Sequence, residues 1–281
     1  MEVTPDEMMV VSISRQIKNG EVVAQGIATP LVAAAYLLAR HTHAPDLYFS
    51  SAIGQGICRQ PAPMSLLQIE RLWLDKALIN AGFVRAVTDV LPTLRPKEFF
   101  RPGQVDPHGN FNNIAFGRNY RTPRLRLPGT GGIPDVTTFI DDICLYVPRH
   151  SRITFVPELD YLSGMGHHPA RKSGRGPHYL VSDLGEFDFQ GFADGKPVMR
   201  LVSYHPGASV ELIQKKTGFD LTVAPDVSMT PLPSEIEIDL LRKEIDPLGI
   251  RKLELLSGAE RRVFLRRIIL QESEAMAHLD A

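Results

Sequence analysis

Five stretches of the sequence carry groups that could hold a small anionic ester. Gly129-Thr130-Gly131-Gly132 can turn backbone N–H groups toward an oxyanion or a carbonyl, because glycine permits close backbone approach. The same cluster also reads as an ordinary glycine turn. Gln104 to Asn112 brings three amides, Gln104, Asn110 and Asn112, that could hydrogen-bond an acyl group. Within it Asp106-Pro107-His108-Gly109 is a turn signal in its own right. Gly26, Thr29 and Pro30 sit where a strand feeds a helix, a common ligand-facing position, and Thr29 can cap that helix at the same time. His167, His168, Arg171, Lys172, Arg175 and His178 form a basic glycine-rich loop, suited to phosphate or carboxylate or to plain solvation. Arg118, Arg121, Arg124 and Arg126 form a second basic stretch, fit for a diphosphate, a solvated face or a subunit contact. No metal site is expected, since adjacent histidines do not match the usual ligand spacing.

These groups must be positioned by a chain of 281 residues, 43% hydrophobic, which is enough for one large core or two unequal ones. Thirty-one basic residues nearly balance 32 acidic ones, which argues against a dedicated nucleic-acid binder. The two cysteines, Cys58 and Cys144, lie far apart, so a disulfide scaffold is not expected and a reducing cytoplasm is the natural compartment. The amino-terminal segment lacks the pattern of a signal peptide, and no apolar run approaches the roughly 20 residues of a membrane span.

Thr4-Pro5-Asp6-Glu7 is a capping box that opens a helix through MMVVSISRQI to Asn19-Gly20. EVVAQGI reads as a buried strand, Thr29-Pro30 opens a second helix, and LYFSS follows Ala44-Pro45-Asp46 as a second strand. That alternation predicts an α/β architecture with a parallel sheet. SLLQIERLW and AGFVRAVTDVL read as helices; ICLYV, RITFV, YLVSDLGEFDF and VMRLVSYHP read as strands, the last two joined by a turn at Ala193-Asp194-Gly195. Ser234 precedes the helix EIEIDLLRKEI, and Ser257-Gly258-Ala259-Glu260 opens a last helix. On that helix Val263, Phe264, Ile268 and Met276 suggest an apolar stripe, for docking on the chain's own body or on a partner. Trp73 is expected in the core. The simplest organisation is one domain over 1–250 with a helical extension over 251–281.

Three stretches taken in order carry a resemblance. Gln16 to Ala33, Gln104 to Asn112, and Pro128 to Gly132 resemble the β-type subunits of family I coenzyme A transferases, in the glutaconate CoA-transferase branch. Val181-Ser182-Asp183-Leu184-Gly185, His205-Pro206-Gly207, Thr217-Gly218-Phe219 and Glu244-Ile245-Asp246-Pro247 agree with it, so the likeness runs from about residue 8 to 250. It implies an open mostly parallel sheet flanked by helices, of the CoA-transferase type. It also implies an α-type partner subunit in a heterodimer or heterotetramer, and an active site between the two. Coenzyme A or its acyl ester would then be the substrate, with no permanently bound cofactor. Under this reading Gly26, Thr29, Gln104, Asn110, Asn112, Gly129, Gly131 and Gly132 bind substrate.

Family members transfer CoA through a glutamate nucleophile that forms an anhydride and then a glutamyl thioester. In β-type subunits it follows the strand after the Ala-Pro-Asp turn, commonly within Glu-Ser-Gly. Here the matching tripeptide is Ala52-Ile53-Gly54, and no Asp or Glu lies between Asp46 and Glu70. The missing glutamate, Ser163-Gly164-Met165-Gly166 and Phe187-Asp188-Phe189 resemble a branch that hydrolytically opens steroid-ring CoA esters with a partner's glutamate. Transfer with the glutamate in the partner is therefore the leading expectation. Hydrolysis and a purely structural subunit are the alternatives.

Overall fold

A computed structural model describes residues 2–26, 28–51, 56–171, 174–193 and 195–279, without the side chains of 70–73, 139, 278 and 279. In chain order the main elements are α1 (Pro5–Ser14), β1 (Val22–Gln25), α2 (Pro30–His41), β2 (Tyr48–Ser51), β3 (Gly56–Cys58), α3 (Ile69–Lys76) and β4 (Ile79–Asn80). Then come β5 (Lys97–Phe100), β6 (Gln104–Val105), β7 (Phe111–Asn112), β8 (Ala115–Phe116), β9 (Leu125–Arg126), α4 (Ile133–Phe139) and β10 (Ile143–Val147). β11 (Pro177–Ser182), β12 (Gly185–Ala193), β13 (Lys196–Tyr204), α5 (Val210–Lys216), β14 (Thr222–Met229), α6 (Glu235–Leu240) and α7 (Gly258–Leu279) complete the chain. Residues 1–86 and 232–281 form one compact unit, and 87–231 form another.

In the first unit β1 and β2 pair in parallel, and β3 and β4 add antiparallel strands. α1 is buried from Asp6 to Ser14, and α2 from Leu31 to Ala39, as expected of helices apolar on nearly every side. The capping box at α1 forms on its carboxylate side: the Thr4 N–H donates to Glu7 Oε2 at 3.0 Å. Helix α1 ends at Ser14 rather than Ile17, and Gly20 takes φ +81° in the turn that follows.

Burial of Asp6 and Glu7 demands counter-charge, because an unpaired buried carboxylate is costly. Arg251, 2% exposed, provides it. Its guanidinium meets Asp6 Oδ2 at 2.7 Å, Glu7 Oε1 at 3.2 Å and Asp246 Oδ2 at 2.9 Å. Arg242 donates to both Glu7 oxygens, at 2.7 and 2.8 Å. Burial alone would push the Glu7 carboxyl up, but the Arg242 and Thr4 bonds and the Arg251 charge hold it at about 2.

α6 opens on a complete Ser234–Glu237 capping box. α7 docks within the first unit through Ile268, Phe264 and Leu265, against Ile250, Leu253, Met64 and Leu66. Glu272 accepts from the Leu66 and Leu67 N–H groups at 3.0 and 2.8 Å, holding 65–67 as a turn, so that α3 starts at Ile69 instead of Ser65. Val263, expected in the apolar stripe, is instead 71% exposed.

The second unit orders its strands β5-β10-β11-β12-β13-β14. β5, β10 and β11 are parallel; β12 is antiparallel to both β11 and β13, and β14 returns parallel to β13. The expected α/β architecture, an open mostly parallel sheet flanked by helices, is thus present, with a C-terminal helix. Two strand expectations need correction. YLVSDLGEFDF is two strands, because Leu184 N–H turns back to Ser182 Oγ (3.2 Å) and the Asp183 carboxylate is held by the His150 N–H (2.7 Å). RITFV is a turn: the Thr154 and Phe155 N–H groups both reach Ser151 O, leaving one bridge between Val105 and Phe155.

Replacing Arg251 by Ala removes the cation shared by three buried carboxylates, of which Glu7 keeps Arg242 and Asp246 keeps two backbone N–H groups. It is expected to cost about 3–5 kcal/mol of stability, measurable as a lower urea midpoint; an unchanged midpoint would show that the ion cluster carries no stability.

Candidate active site

Ligands of open α/β sheets gather outside the carboxyl ends of parallel strands. In the first unit that edge is the loop from β1 to α2. Thr29 is 8% exposed, but it does not cap α2: its hydroxyl donates back to Gly26 O at 3.1 Å. The first-turn N–H of Leu31 instead meets Glu254 Oε1 at 2.9 Å, a carboxylate 223 residues away in sequence. Ala28 between them holds φ +56°, a left-handed conformation that is uncommon for a residue bearing a Cβ. β2 ends at Ser51 on the same edge. Ala52, at the expected glutamate position, lies outside the described residues, as do Ile53 and Gly54.

In the second unit the three amides face inward. Gln104 donates to Asp160 Oδ2 (2.9 Å) and accepts from Asn112 Nδ2 (2.7 Å) and Asp160 N–H (3.1 Å). Asn112, fully buried, also donates to Ala115 O and accepts from Ile114 N–H, both at 2.8 Å. Asn110 donates to Asp106 Oδ2 at 2.8 Å and accepts the Gly166 N–H at 2.9 Å. Gly166 lies so close to the Gly109–Asn110 peptide that a Cβ there would stand 2.3 Å from Gly109 C. A Cβ on Gly164 would stand 2.1 Å from the Phe111 ring. The Asp106–Asn112 turn and the Ser163–Gly166 segment therefore dock backbone to backbone.

The basic loop continues this framework. Arg171 donates to Gly166 O (2.8 Å), to Thr137 O (2.7 Å) and to Met165 O, while Thr137 Oγ1 accepts the Met165 N–H at 3.1 Å. Thr137 sits on α4, the helix opened by Gly129–Gly132. Three separate sequence motifs thus join through Asn110, Gly166, Arg171 and Thr137. Lys172 lies outside the described residues. Of the second basic stretch, Arg118 pairs with Glu158 at 2.6 Å, and Arg126 donates to Tyr120 O while lying over the Tyr120 ring.

Gly129 and Gly131 take φ +107° and +51°, and among the described residues no heavy atom beyond the adjoining residues lies within 4 Å of a Cβ built on either. Their conformation calls for glycine, and the space beside them is open. Gly132 begins α4, with Val87 and Val136 in ordinary contact distance of its Cβ position. Among the candidate binding residues of this unit, the glycine loop is the one whose local surroundings leave room for a ligand.

Two titratable groups escaped the sequence reading. His150, buried beyond β10, has Nδ1 3.0 Å from Ser182 Oγ and Nε2 3.0 Å from Thr217 Oγ1, and stacks on Phe155 at 3.7 Å. Thr217 already donates to Ile213 O, which leaves its oxygen to accept an Nε2–H. Burial, with a lesser push from the Lys216 charge, lowers His150 to about 3, so it stays neutral and serves as a strut. Glu98 on β5 is pushed up to about 8 by burial. The aromatic pair Phe99–Phe100 was the hint of a strand there, in a segment otherwise rich in turn residues.

The chain is 31% identical over 258 residues to the β-type subunit of the glutaconate CoA-transferase of Acidaminococcus fermentans, covering 87% of this chain and 93% of that relative. The chain belongs to the family I CoA-transferases, as a β-type subunit. It is also 31% identical over 243 residues to the cholesterol ring-cleaving hydrolase IpdB subunit of Rhodococcus jostii, with 84% and 89% coverage. Among solved structures, the decarboxylase AibA/AibB matches with a TM-score of 0.75 at 31% identity, covering 89% of this chain and 98% of that one. No protein-family model matches the sequence. The relatives of this β-type chain thus carry names of transferase, hydrolase and decarboxylase.

Gly166→Ala is expected to cost about 1–3 kcal/mol by forcing the docked backbones apart, whereas Gly129→Ala adds backbone strain without a clash. Thermal unfolding should rank G166A as the less stable of the two; the reverse order would contradict the docking role. Glu98 keeps its proton in the folded chain at pH values where the unfolded chain has lost it, so its contribution to stability falls between the ordinary 4.5 and about 8. Glu98→Gln should therefore raise the melting temperature above pH 8 and leave it nearly unchanged below pH 4.5; equal shifts at both would exclude this titration.

Proposed function

We propose that this chain is the β-type half of a heteromeric enzyme that acts on an acyl-CoA thioester in the cytoplasm, paired with an α-type subunit as a heterodimer or heterotetramer. Transfer of CoA to a carboxylic acid is the leading reaction, with the nucleophilic glutamate supplied by the partner. The observation that carries this assignment is the segment after β2: between Asp46 and Glu70 the chain has no carboxylate, and Ala52 stands where β-type subunits place glutamate. A methyl group cannot attack a thioester, so this chain's share is binding and orientation.

In this reading the strained Gly26–Thr29 loop and the open Gly129–Gly132 loop each bind substrate. The glycine loop offers N–H groups where negative charge develops on the carbonyl oxygen. Gln104, Asn110 and Asn112 act one step back, since their amides hold the Asp106–Asn112 turn against Ser163–Gly166. A rigid framework of this kind suits catalysis by positioning.

Hydrolysis is the second reading. It is favoured by the same missing glutamate together with the likeness to a ring-cleaving hydrolase subunit. The two differ in the second substrate. Transfer passes through a glutamyl-CoA thioester and needs a second carboxylate, whereas hydrolysis needs water alone, added to the thioester or to a ring carbon–carbon bond of the acyl group.

The test is turnover of an acyl-CoA panel by the chain co-purified with its α-type subunit, with and without a carboxylate acceptor, and intact-mass analysis of both chains during turnover. Acceptor-dependent exchange with a CoA adduct on the partner alone is expected. Acceptor-independent hydrolysis, of the thioester or of a ring in a cyclic acyl group, would establish the hydrolytic reading, and a CoA adduct on this chain would overturn the division of labour.

A further inference from the structure

We infer that Asp142, Cys144 and His178 form a binding site for a zinc-type divalent metal ion at the amino-terminal edge of the parallel strands of the second unit. Asp142 immediately precedes β10, Cys144 is its second residue, and His178 is the second residue of the neighbouring β11. The sheet therefore fixes three side chains of the metal-ligating types side by side. One carboxylate oxygen, the thiol sulfur and one ring nitrogen all lie within 4.8 Å of one another. This edge is opposite the carboxyl ends of β10 and β11, which lead toward His150 and Ser182.

The distances suit an ion. Cys144 Sγ is 3.6 Å from His178 Nε2. A tetrahedral ion with Zn–S near 2.3 Å and Zn–N near 2.0–2.1 Å separates those two ligands by about 3.6 Å. Asp142 Oδ1 lies 3.4 Å from His178 Nδ1, and Lys97 Nζ lies 3.5 Å from Asp142 Oδ2. Lys97 thus occupies one carboxylate oxygen and leaves Oδ1 on the histidine side. Cys144 faces Nε2 and Asp142 faces Nδ1 of the same ring, so ligation by all three requires the carboxylate to leave Nδ1 and turn toward the ion, with Lys97 still on Oδ2 as an outer-shell orienting group.

Charge and access decide the class of ligand. With the thiol ionised and the imidazole neutral, the donors carry two negative charges that match a divalent ion, and the Lys97 ammonium adds one positive charge that weakens the site. A mixed sulfur, nitrogen and oxygen set fits zinc or cobalt and not magnesium or calcium, which take oxygen ligands. Cys144 is sealed from solvent, so reaction of its thiol with a bulky substrate is excluded. The His178 and Asp142 side chains are 48% and 34% exposed, giving a small ion an entrance and leaving a coordination position for water.

The experiment is an anaerobic titration of the untagged two-subunit protein with Co(II). One equivalent per β-type chain is expected to bind with a thiolate-to-cobalt charge-transfer band in the near ultraviolet, displaced by Zn(II). Cys144→Ser should abolish that band. His178→Ala, a change at a half-exposed position that the fold tolerates, should weaken Co(II) binding at least tenfold. Cobalt binding without the thiolate band, or with equal affinity in H178A, would overturn the site and leave the trio as a hydrogen-bonded cluster. Neither readout uses acyl-CoA turnover, so failure here leaves the proposed reaction untouched.

Discussion

Burial of the Arg251 guanidinium sets a condition that much of the first unit must satisfy. A guanidinium cannot shed its charge, so a fully enclosed one requires carboxylates on several sides. Asp6 and Glu7 come from the first helix, and Asp246 from a turn near the other end of the chain. Those contacts fix the Ile250–Glu254 turn, and Glu254 then reaches the first-turn N–H of α2. Ahead of that helix, between β1 and α2, Ala28 holds a left-handed conformation. An ion cluster enclosed within the core is thereby linked, through Glu254, to the first turn of the helix that follows a candidate binding loop.

The second unit meets a comparable constraint with close approach in place of charge. Gly164 and Gly166 let one segment lie directly on Phe111 and the Gly109–Asn110 peptide. Asn110 and Thr137 accept the Gly166 and Met165 N–H groups and Arg171 donates to Thr137 O, which locks that contact and extends it to α4. The glycine loop at the start of α4 inherits this rigidity while its own Cβ directions stay open. Rigid support beneath an open, N–H-rich turn is what stabilisation of developing charge requires.

Much of this was legible in the sequence, and the reasons differ by feature. Local signals held where local chemistry decides: the Thr4–Glu7 box, the helix that follows Ser234, the strands at Val22, Tyr48 and Ile143, and the α/β alternation. The hairpin at Asp183–Leu184 was hidden because the apolar pattern continues through it. The direction of the amides could not be read either. Asn110 and Asn112 look the same in sequence whether they face a ligand or the chain, and their partners, Gly166 and Gln104, are set by tertiary packing. The Glu254 cap on α2 and the Cys144–His178 pair join residues 223 and 34 positions apart, beyond any spacing rule.

The absent carboxylate after β2 bears on how an enzyme of this architecture divides labour. A covalent relay needs a nucleophile whose carboxylate is ionised yet shielded from water. Shielding and ionisation oppose each other unless hydrogen-bond donors or positive charge compensate. Glu98 illustrates the failure of that balance, since burial alone leaves its carboxyl protonated up to about pH 8. Glu7 illustrates success, held at about 2 by two guanidinium groups and a backbone N–H, but it is fully engaged in the ion cluster. Neither is suited to attack a thioester near neutral pH. Under the proposed function, an alanine after β2 frees this chain from providing both the nucleophile and its compensating donors, and leaves it the simpler task of presenting backbone N–H groups to the thioester carbonyl that a carboxylate of another chain attacks.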